Sequence, residues 1–232
     1  MSACLFLLVA MQSQQPIPFE GASSDEGRRL WGRQSRKLDY ESWQASKLDR
    51  EKRNIATFDV AIERQLARRL KTRPEWVQSP VLCVGARLGG EVRAFRTVHS
   101  GLLAVGIDFN PGARNAWVMW GDAHHLNFDA SVFGTLYTNI LDHVSNVTQF
   151  AAEAARVLRP GGTLMVDIDQ NKPDSYAVHD LREKAPAFLD VFGRYLKLLS
   201  KHTVLHEKDS PKIAAVFQKS PHPDGQEGTR KM

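Results

Sequence analysis

Cysteine is scarce: Cys4 and Cys83 are the only two in 232 residues. Cys83 falls in an apolar run that reads as a buried strand, so a disulfide framework is excluded. No Cys/His spacing of the zinc type occurs, and none of the reading below needs a metal. Long hydrophobic runs are scarce as well. Ala3 to Met11 is apolar over 9 residues, too short to span a bilayer as a helix. No basic leader precedes it, so it makes a poor signal peptide, and a cytoplasmic location without a membrane span is expected, with a degenerate targeting segment as the alternative. Internal repeats are missing, which excludes a solenoid. A chain-wide charge excess is missing too. Net charge is +5, but residues 28–75 alone hold 14 Lys/Arg against 7 Asp/Glu. The excess is thus local, and it reads as the solvated face of a helical segment rather than a nucleic-acid surface.

What remains is enough apolar sequence, 42%, for one sizeable core. Residues 1–27 read as a flexible start, with a Gln-, Ser-, Pro- and Gly-rich linker over 12–27. Residues 28–77 read as a helical extension packed on the core. Ile55, Phe58, Ile62, Leu66 and Leu70 recur at spacings of three and four and form one apolar stripe. Asn54 or Thr57 can cap that helix, and Pro74 ends it.

From Pro80 the pattern alternates. Strands are expected at 81–84, 103–107, 116–120, 134–138 and 163–168. Helices are expected at 89–98, 147–158 and 177–192, the last interrupted near Pro186. The runs 195–202 and 214–218 read as a closing hairpin. Alternating strands and helices give an α/β fold with a doubly wound, mostly parallel sheet covered on both faces. The tail 221–232 reads as disordered.

Chemistry concentrates at the ends of these strands. Gly85 is where the chain must turn sharply away from the first strand. A residue without a side chain allows positive φ there and close approach of a ligand. Gly89 and Gly90 open the next helix. Asp108 ends the second strand 23 residues beyond Gly85, near the separation at which a carboxylate meets ribose hydroxyls. It could equally cap the segment that follows. Gly121-Asp122-Ala123 follows the third strand, and Asn139, Asp142 and His143 follow the fourth. Asp167 and Asp169 end the fifth. His124 and His125 are adjacent, so they share no face in a strand or a helix and make a poor metal pair.

The order Val-Leu-Cys-Val-Gly85-Ala-Arg-Leu-Gly89-Gly90, then Gly-Ile-Asp108, Gly121-Asp122, Thr-Asn139-Ile-Leu-Asp-His143 and Arg-Pro-Gly161-Gly162 resembles the class I S-adenosylmethionine-dependent methyltransferases over residues 78–220. The resemblance implies a seven-stranded sheet ending in an antiparallel hairpin, with S-adenosylmethionine as cofactor. It implies that Gly85, Ala86, Arg87 and Gly89 hold the methionine part and Asp108 the ribose. Asp122 would accept from the adenine amino group and the Ala123 amide would meet a ring nitrogen. Phe109 and Trp120 are candidates to cover the adenine, or else core residues. Asn139 would line the cofactor site. His143 would lie in the loop beside the methyl group, as a general base or as a positioning residue.

Two positions depart from the family pattern. Arg87 stands where the second glycine of the turn is usual, and Cys83 where an acidic residue is common. The Asn-Pro-Pro-Tyr signature of amino-group methylation is absent. The favoured expectation is methyl transfer to a small-molecule acceptor. A catalytically weak or inactive binding module and a nicotinamide-dependent oxidoreductase are the alternatives. Arg87 breaks the dinucleotide fingerprint and disfavours the last of these.

Overall fold

Val81–Val84 (β1) is buried at all four positions, as a strand in the middle of a parallel sheet must be. Ala104–Asp108 (β2) pairs on one side of it and Phe133–Thr138 (β4) on the other, both in parallel. The computed structural model describes residues 52–98, 101–109, 111, 116–171, 177–205 and 211–221, with the side chains of all but 52–58 and 205. Val118–Trp120 (β3) lies outside β2. Leu158–Asp169 (β5) lies outside β4, and Pro211–Gln218 (β7) and Lys197–Leu205 (β6) complete that side in antiparallel pairing. The order is β3-β2-β1-β4-β5-β7-β6. The seven-stranded, mostly parallel sheet with its C-terminal antiparallel hairpin is therefore as expected.

Helices cover both faces. On one face lie Lys52–Thr72 (α1) and Gly90–Arg96 (α2). Leu66 and Leu70 of α1 join Val81, Cys83, Val92, Phe95 and Tyr137 in one core cluster. Ile62, Leu66 and Leu70 are buried, so the described part of the apolar stripe points inward. The side chains of Ile55 and Phe58 lie outside the described residues, as do the expectations for 1–51 and 222–232. On the other face, Val147–Val157 (α3) and Leu181–Gly193 (α4) pack Phe150, Ala154, Leu189 and Phe192 against Phe133, Leu136, Leu164 and Phe217. Each such buried large side chain contributes about 1.5–3 kcal/mol.

Some boundaries differ from expectation. The fifth strand begins at Leu158, five residues early. Leu158 pairs with Phe133, and a register shift then absorbs the Pro-Gly-Gly stretch. Gly161 takes φ +77 there, so this stretch is an irregularity inside the strand. α4 starts at Leu181, not 177, because Asp180 caps it by accepting from the Arg182 amide at 3.1 Å. The helix also runs through Pro186 instead of breaking. Proline there removes the bond to the carbonyl of Arg182, an exposed residue whose carbonyl can be hydrated.

Candidate functional site

The strand order reverses between β1 and β4. In an open α/β sheet such a switch leaves a crevice at the carboxyl ends of the strands. Val84 pairs with Ile107 on one side and Thr138 on the other. The next residue on each strand is then Gly85, Asp108 and Asn139, side by side along one edge. Asp108 in turn pairs with Trp120, which brings Gly121-Asp122 to the same edge.

The turn after β1 is tight for physical reasons. Gly85 has φ +85, and a Cβ there would fall 2.3 Å from Cγ2 of Ile140. Arg87 sits at φ +32, in the left-handed region that glycine favours. The arginine thus holds a conformation that glycine would adopt more easily, at a cost of order 1 kcal/mol. The Arg87 amide donates to Oδ2 of Asp108 at 3.0 Å. Asp108 therefore braces the turn as well as facing the crevice. Gly89 is also left-handed, and Gly90 donates to Oδ1 of Asp59 on α1 at 2.7 Å. A Cβ on Gly90 would strike the Asp59 backbone. α1 thus seats directly on the turn.

Asp122 is oriented by its neighbour. Its Oδ1 accepts from the His124 amide at 2.9 Å and meets His124 Nδ1 at 2.7 Å. The Asn146 amide, which can only donate, points at His124 Nε2 at 3.1 Å. Nε2 must therefore carry the lone pair and Nδ1 the proton, so His124 donates to Asp122 as the neutral Nδ1–H tautomer. Ser145 Oγ also meets Nε2, at 3.1 Å. His124 thus links the loop after β3 to the loop after β4. Ala123 is buried in the core beneath that loop. Phe109 and Trp120 stack obliquely with ring centroids 5.9 Å apart, and Trp120 is half exposed. It belongs to the surface of the crevice side rather than to the core.

Asn139 spends its amide on a residue that sequence reasoning passed over. Its Nδ2 donates to Oε1 of Glu91 at 3.1 Å. Glu91 stands in the first turn of α2 and is 5% exposed. Burial pushes its carboxyl up to about 8, and Asp59 and Asp108 push the same way. Its own backbone amide and Asn139 only partly offset this. An acidic residue opening a helix ordinarily reads as a dipole partner in solvent. The available signal was its place between Gly90 and Val92, on the helix face that must meet the sheet.

His143 lies in the loop after β4, its amide bonded to the Ile140 carbonyl at 2.9 Å. Its Nε2 is 3.4 Å from Asp142 Oδ2. The Asp142 carbonyl accepts from Val178 and His179, which ties this loop to the segment before α4. Asp167, expected to flank the crevice, does other work. Its carboxylate holds Arg69 of α1 in two contacts, 2.8 and 2.9 Å, and accepts from Tyr137 Oη at 2.8 Å. Burial opposes the Arg69 charge, and Asp167 and Tyr137 together more than offset that. Asp167 thus fixes α1 to the sheet. Among the described residues no group of three or more His, Cys, Asp or Glu is placed to hold a metal ion, and no helix is long and apolar enough to cross a membrane.

The sheet order and the crevice at its switch point define the class I methyltransferase fold. Residues 82–166 match the family model described as methyltransferase domain. The resemblance to the class I S-adenosylmethionine-dependent methyltransferases therefore holds in sequence and in fold. Among solved structures, the chain is similar to one from the complex between the Haloferax volcanii Trm112 methyltransferase activator and a proposed methyltransferase. The two are 15% identical with a TM-score of 0.57, over 81% of this chain and 99% of the other. It is also similar to the structure described as the conversion of a disulfide bond into a thioacetal group during echinomycin biosynthesis. That pair is 18% identical with a TM-score of 0.53, over 67% of this chain and 82% of the other. Curated proteins give no match.

Proposed function

We propose that the chain is an S-adenosylmethionine-dependent methyltransferase acting on a small-molecule acceptor. The observation that carries this reading is the alignment of Gly85, Asp108 and Asn139 on one sheet edge by strand register. The residues present fit the cofactor. Asp108 offers a carboxylate suited to a neutral diol, and Asp122, held by His124, is oriented to accept from an amine. In this reading Gly85, Ala86, Arg87 and Gly89 bind the methionine portion and Asp108 the ribose. Asp122, the Ala123 amide and the Phe109–Trp120 pair bind the adenine.

S-adenosylmethionine supplies a sulfonium whose methyl group is already activated. The chain then needs chiefly to align an acceptor and keep water away. Asn139 and the loop through His143 border that space. His143, with Asp142 beside it, can hold a proton-bearing acceptor in place or take its proton. Calorimetry with S-adenosylmethionine, S-adenosylhomocysteine and NAD tests the reading. Binding of the first two without NAD supports it. Binding of NAD alone would replace it with an oxidoreductase.

A further inference from the structure

Three carboxyl groups converge on the turn after β1. Asp59 comes from α1, Asp108 from β2 and Glu91 from α2. The ion pairs of Arg93 go to Asp59 and Glu63, the latter at 2.8 Å. Glu91 is the most buried of the three. It faces Cys83 on β1, Tyr137 on β4 and Asn139 just beyond β4. A buried carboxyl is costly unless something compensates it. A purely structural site there would be cheaper with an apolar side chain of similar volume. What the site offers instead is an acid held by a neutral amide at the edge where Gly85 and Asn139 meet. A cation placed there would be stabilised by Glu91 directly, with Asp59 and Asp108 nearby.

We propose that Glu91 is the residue that binds the α-ammonium of the cofactor's amino-acid portion, in a crevice whose first strand offers only the uncharged Cys83. This rests on the reading of the site as one for S-adenosylmethionine. Binding converts Glu91 from carboxylic acid to carboxylate. Its proton leaves to solvent, and the carboxylate accepts an N–H of the incoming ammonium. No other bond changes. Asn139 keeps its hydrogen bond in both states and holds the carboxyl in position.

The test is calorimetry at pH 7 on the full chain, with two probes and buffers of differing ionisation enthalpy. S-adenosylhomocysteine carries the ammonium; 5′-methylthioadenosine has the same nucleoside but no amino-acid part. The wild-type chain should release a fraction of a proton, up to one, on binding the first and none on binding the second. Glu91→Gln should weaken S-adenosylhomocysteine roughly 10- to 100-fold, the usual loss for a charged hydrogen bond. It should leave 5′-methylthioadenosine unchanged within about twofold and abolish the proton release. Equal weakening of both probes would overturn the proposal and make Glu91 a support of the turn. Absence of proton release in the wild type would overturn it without any variant, so a poorly folding Glu91→Gln protein does not shield it. Failure of the wild type to bind either probe would instead refute the cofactor reading, and the proposal with it.

Discussion

Asp108 does two things at once. It accepts the Arg87 amide, which stabilises a turn strained by a non-glycine residue at φ +32, and it presents a carboxylate at the crevice. Asp108→Ala should therefore weaken S-adenosylhomocysteine by about 1–3 kcal/mol. Unchanged affinity by calorimetry would leave it only the bracing role. Glu91 makes a separate prediction about stability. Its carboxyl rises from 4.5 to about 8 on folding. Between those values the folded state holds a proton that the unfolded state has lost. Stability then falls as pH rises through that window, by about 1.4 kcal/mol per pH unit at most, and the effect is complete above pH 8. Urea titrations at several pH values should show a flatter profile in Glu91→Gln. A slope identical to wild type would mean that Glu91 ionises normally. At this scale the sequence was partly legible. Gly85, Asp108 and Asp122 could be picked out because strand ends and glycine turns have fixed spacing. Glu91 and the tautomer-locked His124 could not, because burial and cross-loop bonds leave no periodic mark.

Among the elements, α1 shows where the basic extension acts. It is fixed to the sheet by Arg69, Asp167 and Tyr137, and to the turn by Asp59 and the Gly90 amide. Asp167 is 10% exposed on its side chain, so Arg69→Ala leaves a buried charge without its partner. The expected loss is about 3–5 kcal/mol in denaturant titration. A loss below about 1 kcal/mol would mean that water or another cation replaces Arg69. The loop after β4 carries the other element-scale prediction. With the acceptor in hand, His143→Ala should lower turnover more than cofactor affinity. A loss of about 100- to 10,000-fold with the acid limb of the pH–rate profile removed identifies a general base. A smaller loss with an unaltered profile identifies a positioning residue. Periodicity located α1 and the strands because apolar spacing reports burial. It began the fifth strand at 163 instead of Leu158 and read Pro186 as a break, because a strand irregularity and a proline at a hydrated face are tolerated by tertiary context.

For the whole molecule, the sheet with its switch point turns scattered residues into one edge. The parallel strands were readable from their unbroken apolar runs, and the closing hairpin from its place at the end of the pattern. The acceptor of the proposed function leaves no such trace, because a methyl donor that carries its own leaving group would ask little fixed chemistry of the acceptor side. The N-terminal residues enter the same account through α1, whose Leu66 and Leu70 cover Val81, Val92 and Phe95. The central claim is that the crevice above β1, β2 and β3 is a nucleoside site for S-adenosylmethionine. A crystal structure of the chain with S-adenosylhomocysteine tests it most directly. The account predicts the ribose hydroxyls on Asp108, the adenine beside Asp122 and Trp120, and the amino-acid end against Gly85 and Glu91. A nucleoside found elsewhere on the molecule, or no binding at saturating concentration, would contradict it.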